Sequence, residues 1–241
     1  MFTTSIFPSF IFIMDSIAIY NAFLFFLLTL LPPTPTRVLS IIYIFQCCFR
    51  SIFVSNYLTQ QTTTEFFLNS PLLARIFASV GETCFIVQLV LFFNSYYEST
   101  FLSSYIILSN VYAQIVSTIG TVNKESALFV TEGMFWAQIF ASLAIWSYLV
   151  SVFHVDEMYL FSTSFILCAN LAMYMICVYI PYVYKVTPPQ IPLPDTIGGK
   201  IMHAFGYMEM CTEWYHWKDE ASWQIPYFIL GPSVSVFLLL Q

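Results

Sequence analysis

Long apolar runs, separated by short polar or proline-rich stretches, recur along the whole chain. A helix needs about 20 predominantly apolar residues to cross roughly 30 Å of hydrocarbon. Runs of this kind cover residues 10–31, 38–57, 73–95, 101–121, 127–153, 159–184 and 223–240. Pro32, Pro33 and Pro35 close the first, and Ser103, Ser104, Ser109, Asn110 and Gln114 dilute the fourth. Pro181 lies near the end of the sixth, while Pro226, Gly231 and Pro232 interrupt the last. The pattern predicts seven spans, with six as the alternative. Strand alternation is absent, and a lipid-facing backbone must satisfy its own hydrogen bonds, so the spans are expected to be helical. The fold class is therefore all-α, a polytopic transmembrane helix bundle. Residues 1–184 are expected to hold the first six spans and 223–241 the last. Between them, 185–222 reads as a Pro-rich loop (Pro188 to Pro194) and an interfacial amphipathic helix over 200–219, after Gly198-Gly199.

Composition agrees with the pattern and excludes the alternatives. Of 241 residues, 59% are hydrophobic and 8% charged, with a mean hydropathy of +0.78. Soluble domains average about 25% charged residues, so a water-facing surface cannot be covered here. A disordered chain would need the opposite balance. The net charge of −6 has the wrong sign for nucleic acid. Five of the six cysteines (Cys47, Cys48, Cys84, Cys168, Cys177 and Cys211) lie in apolar runs, without CxxC spacing, and read as small buried hydrophobes.

The few basic residues set an orientation. Arg75, Lys124, Lys185, Lys200 and Lys218 fall in loops on the N-terminal side, and Arg37 alone in the opposite loops. The positive-inside rule then places the N-terminus on the matrix-like or cytoplasm-like side and, with seven spans, Gln241 on the other.

Ionisable residues at membrane depth are costly and are usually paired or functional. Counted from the positive side, Arg50 lies roughly 10 Å into span two, Glu82 roughly 14 Å into span three and Glu132 roughly 8 Å into span five. All three fall in one half of the bilayer, so an Arg50–Glu82 pair is possible. Arg75 shares a helix face with Glu82, seven residues on. The expectation is a polar cluster of Arg50, Arg75, Glu82 and Glu132, with Asp15 as a further, interfacial carboxylate. Such a cluster could be a proton, ion or solute path, or an internal ion pair that fixes helix register.

The histidines offer less. Glu213 and His216 have the Glu-x-x-His spacing of carboxylate-bridged di-iron bundles, and Glu209 would share their face on one helix. That chemistry needs a second Glu-x-x-His helix, which the sequence lacks, so Glu209, Glu213 and His216 are only weak metal candidates. His154, Asp156 and Glu157 read as a loop cluster. Neither a Ser-His-Asp set, a phosphate loop nor a dinucleotide fingerprint can be assembled, and no cofactor is expected. Trp214, Trp217 and Trp223, with Tyr207, Tyr215 and Tyr227, read as an interfacial aromatic belt.

Several of these stretches resemble an uncharacterised polytopic membrane protein family of algae and other protists. The likeness rests on Arg50-Ser51, Asn69-Ser70-Pro71-Leu72, Arg75, Ala78, Val80-Gly81-Glu82, Cys84-Phe85 and Gln88. It continues through Glu132, Trp136, Trp217, Trp223 and Tyr227-Phe228. Ile52 stands where such proteins tend to carry Pro after the Arg-Ser. The resemblance implies a polar cluster and no particular activity. Thr131-Glu132-Gly133-Met134-Phe135-Trp136 also resembles the intramembrane glutamate motif of cytochrome oxidase subunit III, and 214–223 that protein's C-terminal motif. The glutamate belongs in an early span there and in the fifth here.

Three functions are thus in view. The first is a non-catalytic accessory subunit of a larger, respiratory or other bioenergetic membrane complex, partnered by other membrane subunits and bound lipids. A small-solute or ion transporter is the second, and an intramembrane enzyme, with Glu213 and His216 as its only support, the third. High Phe and low Lys content favour the mitochondrial inner membrane.

Overall fold

A computed structural model of the chain describes residues 6–186, 192–211 and 213–240, without the side chains of residues 6–9 and of His216. Residues 187–191, which include part of the Pro-rich run, and Gln241 lie outside the described residues. The described elements run α1 (Ile6–Thr29), α2 (Pro35–Ile52), β1 (Gln61–Thr62), α3 (Pro71–Tyr96), α4 (Thr100–Asn123) and α5 (Ser126–Phe153). After these come α6 (Met158–Tyr174), a π-helical turn (Met175–Tyr179), α7 (Ile180–Lys185), α8 (Ile197–Gly206), β2 (Glu209–Met210) and α9 (Trp214–Leu240). Among the described residues the protein is all-α apart from a two-residue ladder and an isolated bridge between Ser55 and Thr62.

Six stretches among the described residues are long and apolar enough to cross a membrane: Phe10–Thr29, Pro71–Tyr96, Thr100–Asn123, Ser126–Phe153, Val155–Lys185 and Trp217–Leu240. The chain is therefore a multi-pass membrane protein. Both the diluted fourth run and the Pro-interrupted seventh are among them. The expected second span, 38–57, is the one that is not. Its helix has only 18 residues, carries Arg37 and Arg50 near its two ends, and stops at Ile52.

The chain divides into two compact units, Met1–Phe85 with Pro192–Gln241, and Ile86–Ile191. In the first, α1, α2 and α9 pack on one another. Thr34 caps α2, its Oγ1 accepting from the Arg37 N–H (3.1 Å), and Pro35 stands where a helix has no use for an N–H. The Arg37 guanidinium closes α1, donating to the carbonyls of Leu31 and Thr29 (2.9 Å for Thr29). α2 then runs beside α9: Ser40 Oγ reaches the Ser235 carbonyl (3.4 Å), while Arg50 lies over the Phe228 ring. Phe10, Met14, Tyr43, Cys47, Trp217 and Phe228 form the core, with Phe10 stacked on Trp217 at 5.8 Å.

A small polar cap that the hydropathy pattern does not foreshadow completes this unit. β1 pairs with β2 in parallel, Gln61 opposite Glu209 and Thr62 opposite Met210. The Glu209 N–H donates to the Gln60 carbonyl (3.1 Å) and the Cys211 N–H to that of Thr62 (3.0 Å). Gln60 adopts φ 55°, in the left-handed region, to make the turn. The amphipathic helix expected over 200–219 is consequently broken. α8 ends at Gly206, the chain extends to pair with β1, and a new helix starts at Trp214 rather than Trp223.

In the second unit, α5 packs against α4 and α6. The core joins Ile86, Val90 and Phe93 of α3 to Ile106, Ile139, Trp146, Val150 and Phe161. Trp146 is fully buried, stacks on Phe93 (5.4 Å) and donates from Nε1 to the Tyr97 carbonyl (3.0 Å). Beyond the first turn, where Ser103 is half-buried and Ser104 exposed, the polar residues that weaken the fourth run are not scattered. Ser109, Asn110, Gln114, Ser117 and Thr121 all lie on the buried face of α4. Ser117 and Thr121 donate back to carbonyls one turn earlier, at 3.2 and 2.9 Å, so α4 shows lipid an apolar face and keeps its polarity inside.

Candidate functional site

Four segments of the first unit converge on Glu82. Gln46 and Arg50 are one turn apart on α2, and Arg75 and Glu82 two turns apart on α3, so each pair shares a face. Tyr57 comes from the cap segment and Tyr227 from α9. Arg50 Nη1 lies 3.4 Å from Glu82 Oε1, and Arg75 Nη2 lies 3.3 Å from Glu82 Oε2. One carboxylate thus holds two guanidiniums. Tyr227 donates its hydroxyl to Glu82 Oε1 (3.0 Å) and accepts from Gln46 Nε2 (3.2 Å), while Gln46 Oε1 takes a second contact from Arg50 (3.4 Å). Arg50, Arg75 and Glu82 are 5, 3 and 7% exposed.

Aromatic faces complete the shell of the two cations. The Arg50 Cζ atom lies 5.3, 5.4 and 5.1 Å from the ring centres of Tyr57, Tyr227 and Phe228, and the Arg75 Cζ atom 5.3 Å from that of Tyr57. Such contacts offset part of the desolvation of a buried guanidinium. Close backbone approach makes the geometry possible. A Cβ at Gly81 would sit 2.0 Å from Gln46 Cγ, and one at Gly231 would sit 2.0 Å from the Tyr43 hydroxyl. Both glycines let α2 settle against its neighbours.

The structure brings together three of the four residues expected to cluster. Glu132 belongs to the second unit, where it is 4% exposed and accepts from the Tyr179 hydroxyl at 3.4 Å. Tyr179 ends the π-helical turn, and a Cβ at Gly133 would sit 2.9 Å from its ring, so the tyrosine lies across the Glu132-Gly133 backbone. Asp15 is exposed on α1.

The expected Glu209–Glu213–His216 face does not form. Glu209 lies in β2, where side-chain direction alternates, and Glu213 precedes the first residue of α9, so the two carboxylates share no helix. Both are exposed, and the side chain of His216 lies outside the described residues. His154 is occupied otherwise, with its Nε2 donating to the Tyr96 carbonyl at 2.7 Å beyond the end of α5.

Sequence reasoning missed a second polar centre, around Glu220. This carboxylate is 6% exposed and accepts from Asn56 Nδ2 (2.9 Å), Trp223 Nε1 (3.0 Å) and Gln224 Nε2 (2.9 Å). Asn56 Oδ1 meanwhile accepts from the N–H groups of Leu58 and Thr59, both at 3.0 Å. Glu220 therefore latches the cap segment to the first turns of α9 and holds the residue next to Tyr57. The spacing Glu220, Trp223, Gln224 places two side-chain donors at i+3 and i+4, which is the trace it leaves in the sequence.

Comparison with family models, with curated proteins and with solved structures finds no match to the chain.

Proposed function

We propose that the chain is a non-catalytic subunit of a larger membrane assembly, and that the Arg50–Arg75–Glu82 cluster is a structural tie within it. The observation that carries this reading is the closure of the cluster. Its carboxylate is shared by two guanidiniums and a tyrosine hydroxyl, and its cations are roofed by three aromatic rings. A group that binds a solute or relays protons needs a face open to water. An internal ion pair that fixes how α2 sits on α3 and α9 does not. Neighbouring subunits and bound lipids would cover the exposed apolar faces, and the cavity beside Gln46 suits an acyl chain. That cavity is about 380 Å³, with walls of Phe25, Ile41, Phe45, Phe77 and Val80.

The high Phe content, with few Lys, supports a bioenergetic assembly in the mitochondrial inner membrane. With α2, which packs along both α1 and α9, counted as a seventh crossing, the five-to-one split of basic loop residues supports an N-terminus on the matrix side. A transporter is the second reading, favoured by the buried polar face of α4 together with Glu132 in the same unit.

Purification in mild detergent separates the two. Migration within a stable complex much larger than 27.8 kDa is expected. A lone chain that moves a solute into vesicles would overturn the subunit reading in favour of transport.

A further inference from the structure

We infer that α8 is an in-plane membrane anchor whose partner is the headgroup–acyl boundary of the bilayer. α8 has ten residues, Ile197–Gly206, too few to cross a membrane, and it lies outside the six candidate spans. Thr196 starts it, Oγ1 accepting from the Gly199 N–H at 3.1 Å. At 3.6 residues per turn, Ile197, Ile201, Met202 and Phe205 fall within an arc of about 140°. Lys200 and His203 lie outside that arc, His203 almost opposite its centre.

Burial on this helix runs opposite to that of a helix on a water-soluble surface. The four large apolar side chains are the exposed ones, at 77% for Ile197, 44% for Ile201, 71% for Met202 and 37% for Phe205. Ala204 is fully buried, and the half-buried His203 stacks on Tyr207 with ring centres 4.9 Å apart. In water an amphipathic helix turns its apolar stripe toward the protein. α8 turns its polar and smallest side chains inward and its apolar arc outward, which requires an apolar medium outside.

The fold also fixes the level at which α8 is held. Residues 207–213 join it to α9, and β2 within that join is paired to β1. α9 opens with Trp214 and Tyr215, and the span Trp217–Leu240 begins there. Phe10, the first residue of the Phe10–Thr29 span, packs on both Trp214 and Trp217 with ring centres 5.8 Å away. Two spans therefore start at an aromatic level to which α8 is tethered, and amphipathic rings of this kind sit among lipid headgroups. A short helix with a wide apolar face at that depth lies in the interface plane, its apolar side in the acyl boundary. The tether of α8 to this aromatic level, through the paired join, is what favours lipid over a neighbouring protein.

The test uses the full chain reconstituted in phosphatidylcholine vesicles, with an environment-sensitive fluorescent amino acid in place of Met202. Reference probes go at Ile19, 71% exposed on α1, and at Asp156 in the exposed turn after α5. Emission from position 202 is expected to be blue-shifted from that at 156. Lipids brominated near the headgroup should quench it more than lipids brominated near the chain end, and iodide should quench it less than at 156. Iodide quenching as strong as at 156, without bromolipid quenching, would place the face in water. Protection from both quenchers would mean that protein covers it. Either result overturns the proposal. Should the Met202 variant elute differently from the unmodified chain, the probe moves to Ile197 and the same outcomes decide.

Discussion

Glu82→Gln is the sharpest probe of the tie between α2, α3 and α9. The amide keeps an oxygen for the Tyr227 hydroxyl but removes the charge that both guanidiniums share at 3.4 and 3.3 Å. Arg50 and Arg75 stay buried, at 5 and 3% exposure, so little water can reach them to replace the lost partner. Breaking a buried pair from one side costs about 3–5 kcal/mol, because it strands the other charge. With the oxygen retained, the lower end applies, about 3 kcal/mol, or roughly a hundredfold in the unfolding constant. Equilibrium unfolding in mixed micelles, followed by fluorescence of the five tryptophans, reads this directly. The triple variant Arg50→Met, Arg75→Met, Glu82→Leu removes all three charges and is expected to recover most of the loss, since apolar replacements of a buried ion cluster are often neutral or better. A Glu82→Gln protein within about 0.5 kcal/mol of the unmodified chain, a change typical of uncritical positions, would refute the structural role. A triple variant as unstable as the single one would trace the loss to packing instead of charge.

Four further outcomes are expected. Gly231→Ala should cost about 1–3 kcal/mol, because Tyr43 is stacked on Phe85 at 4.5 Å and has no room to yield. Gly198→Ala, which meets nothing within 4 Å in α8, should be neutral or stabilising by up to about 1 kcal/mol in the same unfolding assay. Asn56→Ala removes one donor to Glu220 and both backbone contacts of the turn at 58–59, so limited proteolysis should cut within 57–66 at least tenfold faster. Burial first, and then the nearby Glu213 and Glu209 carboxylates, push the Cys211 thiol up from its ordinary value. Less thiolate is then present at any given pH, so peptide-level alkylation of Cys211 should keep accelerating above pH about 8.5, where an unperturbed thiol begins to level off.

Much of the membrane architecture was legible because apolar length is a local property. The runs at 10–31, 73–95, 101–121, 127–153 and 159–184 each became a helix within a few residues of the expected limits. Arg50, Arg75 and Glu82 could be brought together from helical rise and face alone, since depth and facing are set by counting along each helix. Which helix lies beside which is not set that way. Counting along the helices gives Glu132 a similar depth, but its neighbour Tyr179 is presented by a π-helical turn that no spacing announces. The cap was illegible for a related reason: two-residue strands carry no period, and Gln61 finds Glu209 only through the folded chain. That pairing also ended the expected helix over 200–219, whose amphipathic pattern continues across the break. On α4 the information was present but read as dilution, because Ser109, Asn110, Gln114, Ser117 and Thr121 recur at the three- and four-residue steps of one face.

The discontinuity of the first unit has a consequence for how the protein is made. Glu82 and Tyr227 are 145 residues apart in the chain, and the whole second unit lies between them. At about 5–20 residues per second, a ribosome takes roughly 7–30 s to travel from one to the other. Throughout that interval Arg50 and Arg75 are already synthesised, yet the helix that supplies Tyr227 and Phe228 does not exist. Ile86–Ile191 can complete its own packing in the meantime, while the two guanidiniums must be tolerated at the insertion machinery with Glu82 as their nearest available counter-charge. The first unit is therefore completed only when α9 arrives and closes over α2.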